Sequence, residues 1–273
     1  MENTRSYEVR NGGSIPSSDT NINTCMNPNL LITKDIVGTP QTVEFRGVDS
    51  LTRFNYNLAN TPGFKAEWAN RPITYSLNSN YYRCPEWKDI EWDKSVLLLG
   101  DSWAFGQGLD LPATIASRLS HELNGIPVVN LGQTGTSWTY SWINSVRLVE
   151  AGIKPLAVIY IWTDIARYAQ LLEDNITYSY GAWDLDQPGL GREYALDQVH
   201  SRNMSIEILR SVRTMWTCPQ LHYTWSKHSQ IPGVQDLGIS ELDKARDLIH
   251  PGPRSTAQWA QSMAQELSSK INL

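Results

Sequence analysis

From Ser95 onward, short unbroken apolar runs alternate with amphipathic stretches, and this alternation limits the fold more than any other feature of the chain. Val96 to Leu99 is wholly apolar and stops at Gly100, the pattern of a strand buried on both faces of a parallel sheet. A helix is predicted over Leu111 to Asn124, where Ile115, Leu119 and Leu123 recur at four-residue steps, Pro112 suits a first turn and Gly125 a stop. A short strand at Pro127 to Leu131, a helix at Thr139 to Ala151 and a strand at Leu156 to Trp162 follow. Strand, helix, strand, helix, strand implies parallel pairing through right-handed crossovers. Further on, the pattern predicts a helix at Asn203 to Met215, a strand at Leu221 to Trp225, a short segment at Val234 to Leu237 and a last helix at Ser255 to Lys270. Residues 95–273 therefore read as a three-layer, doubly wound, flavodoxin-like α/β domain of about five parallel strands, with ligands expected at the carboxyl ends of those strands.

The first 94 residues read differently. Residues 1 to about 35 are rich in Asn, Ser, Thr and Gly and hold no sustained apolar period before Leu30, so they need the body of the protein or a neighbouring chain to order them. That arm is a candidate contact for a homo-oligomer or a larger particle. Residues 40–94 break at Pro62-Gly63, Arg71-Pro72 and Cys84-Pro85 and read as an irregular extension with short strands. After Asp164 regularity is again lost for some 35 residues, through Tyr178, Trp183 and Pro188-Gly189, and a loop of that length is usually functional.

Composition excludes several classes. The net charge is -5 and the 23 basic residues are scattered, which argues against nucleic acid. No apolar run approaches the ~20 residues of a spanning helix, and the polar start, Met1 to Arg10, lacks a signal-peptide core, so no membrane association and cytoplasmic synthesis are expected. Cys25, Cys84 and Cys218 are too widely spaced for a disulfide framework or a zinc knuckle, and no metal or organic cofactor is expected.

Chemistry is expected where the first strand ends, at Gly100-Asp101-Ser102. A serine there is exposed at the sheet's edge, but Gly-Asp-Ser is also an ordinary turn, and the hydroxyl needs a histidine base with an orienting carboxylate. Two of the five histidines follow an aspartate by three residues. Asp197/His200 precedes a helix and reads as a local surface ion pair. Asp247/His250 is followed by Pro251-Gly252-Pro253 and a helix, which places both side chains on a loop beside the final strand.

Gly100-Asp101-Ser102-Trp-Ala-Phe-Gly106-Gln-Gly108, the block Asn130-Leu-Gly132-Gln-Thr-Gly135 and Asp247-x-x-His250-Pro-Gly, in that order, resemble the SGNH/GDSL hydrolases over residues 95 to 270. The resemblance implies a catalytic Ser102, His250 and Asp247, and an oxyanion hole from the Ser102 and Gly135 N–H groups. Where the family carries Gly-x-Asn-Asp the chain reads Ile161-Trp162-Thr163-Asp164, so Thr163 stands in the place of the family's third donor. Trp103, Trp138 and Trp162 beside these blocks, Asp164, and Trp183 in the long insert are the candidates for substrate contact, whereas Trp92, Trp216 and Trp259 read as core. The resemblance implies a serine esterase that removes acetyl or other short acyl groups, with a small-molecule or glycan ester as substrate. Two rivals remain: a non-catalytic binding or structural module, and an acyltransferase.

Overall fold

The computed structural model describes residues 28–173, 175–181, 183, 193, 196–237 and 241–271. The arm 1–27, with its expected assembly contact and Cys25, and the Pro188-Gly189 turn lie outside these residues.

The chain opens with β1 (Ile32–Thr33), β2 (Thr42–Val43), α1 (Leu51–Asn60), α2 (Phe64–Trp68) and β3 (Tyr75–Ser76). It continues through β4 (Val96–Gly100), α3 (Ser102–Phe105), α4 (Ile115–Glu122), β5 (Val128–Asn130), α5 (Trp138–Glu150) and β6 (Ala157–Trp162). Then come β7 (Tyr168–Glu173), β8 (Ile176–Tyr180), α6 (Gln198–Met215), β9 (Gln220–Thr224), β10 (Gln235–Asp236) and α7 (Pro253–Ser268). One sheet has the order β10-β9-β6-β4-β5, with every pair parallel. Counted along the chain this is 2-1-3-4-5, the doubly wound order whose strand sequence reverses beside the first strand and opens a crevice at the carboxyl ends of β4 and β6.

The pleat sorts the apolar residues into two layers. Val96, Leu98, Ile159 and Ile161 face α4 and α7 through Leu119, Trp259 and Met263. Leu97, Leu99, Val158, Tyr160 and Trp162 face the other way, toward Leu148, Leu209 and Val212 on α5 and α6. Both faces are thus covered, and the expected three-layer α/β fold is the one observed.

Four local readings are corrected. The helix expected from Leu111 starts as a 3-10 turn, Leu111–Ala113, and restarts at Ile115 because the Thr114 hydroxyl caps it, accepting from the Ser117 N–H. Helix α6 begins five residues earlier than expected, since Asp197 is its cap and accepts the His200 backbone N–H at 2.9 Å. Part of the insert after Asp164 is regular: β7 and β8 form an antiparallel pair, and β8 also pairs in parallel with β1. The extension is less irregular than its prolines suggest, because Ser50 caps the ten-residue α1 by accepting from the Arg53 N–H.

The extension shares the core of the α/β body. Arg83 is buried and donates to the carbonyls of Phe105, Gly106 and Leu109, tying residues 75–83 to the turn after α3; burial pulls its guanidinium down to about 10. Residues 28–33 cross the body as a strap. The Leu31 N–H donates to Asn144 Oδ1 at 2.7 Å, the Leu31 carbonyl accepts from the Tyr140 and Tyr82 hydroxyls, and the Thr33 N–H donates to Gln133 Oε1 at 3.0 Å. Among the described residues no helix is long and apolar enough to cross a membrane.

Candidate active site

Strand β4 delivers Ser102 to the crevice. At Gly100 a Cβ would lie 2.6 Å from the Ile161 carbonyl oxygen, so only glycine lets β4 end this close against β6. Asp101 then turns the chain, its Oδ1 accepting from the Trp103 N–H at 3.0 Å, and Ser102 opens the short helix α3.

His250 and Asp247 come from the loop before α7. Oδ1 of Asp247 accepts the backbone N–H groups of Ile249 and His250, a tight turn that holds Leu248 at φ 60°, a left-handed conformation costly for a side chain of this size. The ring Nδ1–H of His250 donates to Asp247 Oδ2 at 2.6 Å. That acceptor fixes the tautomer, leaving Nε2 to accept from the Ser102 hydroxyl at 2.7 Å. Burial pushes the Asp247 carboxyl up, but the His250 ring and the two backbone donors outweigh it and hold the group below the usual carboxylate range. Asp247 thus presents a negative charge to the ring Nδ1–H of His250.

The neighbour of Asp247 anchors this loop. Arg246 is buried and meets Asp49 of the extension with two nitrogens, Nε to Oδ1 at 3.0 Å and Nη2 to Oδ2 at 2.7 Å. The Tyr75 hydroxyl donates to the same carboxylate at 2.5 Å and accepts the Gly108 N–H, while the Arg246 N–H donates to the Gly108 carbonyl. Gly108 has φ +77°, and a Cβ there would lie 2.7 Å from that of Ala245 and 3.3 Å from the Asp247 carboxyl carbon. The loop of Asp247 and His250 therefore rests on glycine backbone and an ion pair to a residue nearly 200 positions away in sequence.

Ser102 and His250 open into a cavity of ≈ 420 Å³ whose walls include Gly135, Gln107, Arg167, Tyr178 and Trp183, with Thr33 from the strap and Lys34 and Asp35 just after it. A larger groove of ≈ 660 Å³, between residues 76–95 and β5, is lined by none of Ser102, Asp247 and His250. Ser102 and Gly135 both line this cavity, and their backbone N–H groups have no acceptor among the described residues.

Several expected contacts fall elsewhere. Thr163 is buried, does not line the cavity, and its Oγ1 is sealed off without a hydrogen-bond partner; its carbonyl accepts from Trp138 Nε1 and the Ser229 hydroxyl. Trp138 and Trp162 are core, stacked on each other at 4.2 Å, because alternation along β6 sends Trp162 to the α5/α6 side. Trp103 lies between Trp225 and Trp259 in a stack and is not in the cavity wall. Asp164 holds the turn after β6, accepting from the Ala166 N–H and the Ser226 hydroxyl. Of the five contact candidates only Trp183, 52% exposed, lines the cavity. Trp92, Trp216 and Trp259 are buried as expected. No cluster of His, Cys, Asp or Glu suited to a metal exists among the described residues.

No protein-family model and no curated protein sequence matches the chain. Solved structures do resemble it. A carbohydrate acetylesterase family member from Sinorhizobium meliloti is 12% identical, the alignment covering 66% of this chain and 100% of that one, with a TM-score of 0.43. A member of the lipolytic G-D-S-L family from Veillonella parvula DSM 2008 is 11% identical over 65% and 99% of the two chains, with a TM-score of 0.41. Likeness at this level leaves the chemistry to be read from this chain's own side chains.

Two features of the site carry no signal in the sequence pattern. The strap's contribution to the cavity depends on a fold-wide contact, and Arg167 is an isolated cation within the insert. The one hint was Asp101, a carboxylate next to Ser102 that needs a counter-charge.

Proposed function

We propose that this chain is a serine ester hydrolase of the SGNH type, acting on acetyl or other short acyl esters of a carbohydrate or similar small polyol. The observation that carries the reading is the unbroken relay Ser102–His250–Asp247, at 2.7 and 2.6 Å, opening into a cavity with two unspent backbone donors. Ser102 Oγ attacks the ester carbonyl as His250 Nε2 takes its proton; the carbonyl electron pair moves to oxygen, where the Ser102 and Gly135 N–H groups meet it. Collapse expels the alcohol, which takes the proton back from His250. Water then repeats the sequence on the acyl-serine and releases the acid. A cavity walled by Trp183, Tyr178, Lys34 and Asp35 offers aromatic faces and polar heads together, which suits a sugar better than a long acyl chain.

Fluorophosphonate labelling with identification of the labelled peptide, run beside hydrolysis of aryl acetate and of a peracetylated sugar, tests this. Label on Ser102 with acetate release from both substrates is expected. An unlabelled Ser102 with no turnover would make the chain a binding module, and transfer of acetyl to an added sugar in preference to water would make it an acyltransferase.

A further inference from the structure

The two backbone donors leave the hole one short, since Thr163 has turned its hydroxyl into the protein. A different side chain reaches the same cavity. Arg167 sits in the turn after β6, its N–H donating to the Asp164 carbonyl, and its guanidinium is fixed on three sides. Nη1 donates to Asp101 Oδ2 at 2.9 Å, and the guanidinium carbon lies 5.2 Å from the ring centroids of both Trp183 and Trp225. Trp225 Nε1 donates to the same Oδ2 at 3.1 Å, so the Asp101 carboxylate, fully buried, is itself immobilised. Nε and Nη2 of Arg167 have no acceptor among the described residues, although the residue lines the cavity with Ser102, Gly135 and His250.

We propose that Arg167 is a catalytic residue, donating from its Nη2/Nε edge to the oxyanion in place of the donor that Thr163 does not provide. This rests on the esterase reading above. No proton moves in this contact. As the Ser102 Oγ–carbon bond forms and the carbonyl electron pair shifts to oxygen, the new negative charge receives charge-assisted hydrogen bonds from a group already held in place. Asp101 balances the guanidinium before substrate arrives, which spares the site an uncompensated partly buried cation. The same pairing weakens its pull on a permanent anion, which is why a transient oxyanion is the better fit than a substrate carboxylate.

The test compares kcat and KM for a neutral acetate ester and for an ester bearing a carboxylate, in the parent and in Arg167→Met, Arg167→Lys and Arg167→Ala, with Thr163→Val as control. Arg167→Met is expected to lower kcat about 10²–10³-fold on both esters with KM changed by less than about threefold, the signature of a lost transition-state donor. Arg167→Lys keeps a cation beside Asp101 but lacks the fork, so most of the loss should persist. Added guanidinium ion, at concentrations that leave the parent unaffected, should restore part of the kcat of Arg167→Ala. Thr163→Val should leave kcat unchanged. Three results overturn the assignment: an unchanged kcat in Arg167→Met; a loss confined to KM for the carboxylate ester, which makes Arg167 an anion anchor; or a loss that guanidinium does not rescue and that tracks a lowered Tm. An active parent with an indifferent Arg167 overturns this inference alone, whereas an inert parent with an unlabelled Ser102 overturns the esterase reading.

Discussion

The two halves of the Ser102–His250–Asp247 relay are seated in different ways. Ser102 stands at the end of a central strand whose five residues are all buried and whose neighbours on both sides are hydrogen-bonded to it. His250 and Asp247 stand on an irregular loop that borrows its rigidity from the far end of the chain, through Arg246 and Asp49. A strand end is placed by local packing, so damage to it appears as lost stability. A loop whose long-range anchor is a buried ion pair depends on charge as well as on its own backbone bonds, so damage to that anchor appears first as lost geometry.

The largest contrast lies between two histidines that share the same spacing from an aspartate. His250→Ala is expected to lower kcat by about 10⁴-fold or more, the scale of removing a triad member, while His200→Ala stays within a few fold of the parent. Steady-state ester hydrolysis measures both, and equal losses would place the base elsewhere. Next is a pair of variants that separates the two seats. Asp49→Ala leaves Arg246 as an unpaired buried cation, a loss of about 3–5 kcal/mol; Leu98→Ala opens a cavity in the sheet and costs about 2–5 kcal/mol. Urea unfolding should show similar destabilisation for both. Under conditions where each is still folded, only Asp49→Ala should lose kcat, and an equal kcat in the two would mean that the loop holds its shape without the ion pair.

The smallest effect concerns an imidazole on the sheet side. His222, on β9, accepts from Trp162 Nε1 and stacks on Tyr160 at 5.1 Å; burial first, then Arg213 and Lys270, push its pKa down to about 3. The folded protein keeps this ring neutral down to that value, whereas the unfolded chain takes a proton below about 6.5. Between those limits the unfolded state binds more protons, so stability falls as pH falls, by up to about 1.4 kcal/mol per unit. His222→Phe should flatten that slope. Urea midpoints at pH 7 and pH 5 would show it, and identical slopes in parent and variant would mean that His222 is protonated in the folded state.

Much of this architecture was legible because burial on both faces leaves a mark in the sequence: Val96 to Leu99 and Leu156 to Trp162 are apolar throughout and became the central strands. The hydrogen-bonded grouping of Ser102, His250 and Asp247 was legible for a related reason, since strand ends and the loop before a last helix are defined by their flanks. What escaped was set by distant partners. The β7/β8 pair alternates polar and apolar residues only loosely, with Leu171 and Leu172 both exposed, and is completed by β1 from the far end of the chain. Nearness to a motif misled for Trp138 and Trp162, where the period of two along β6 was the better guide to which side each ring takes.

The strap across the body has a consequence of its own. Its peptide groups at Leu31 and Thr33 are met by side chains of Asn144, Gln133, Tyr82 and Tyr140, so an extended segment sits in the protein much as a bound peptide sits in a receptor. Covalent connection supplies the effective concentration that makes this occupancy permanent. The two residues after the receptor-held part, Lys34 and Asp35, are exposed heads on the cavity wall. The cavity wall is thereby assembled in part from a tethered segment: Lys34 and Asp35 belong neither to the five-stranded sheet nor to the relay, so exchanging them alters the wall while every residue of both is kept.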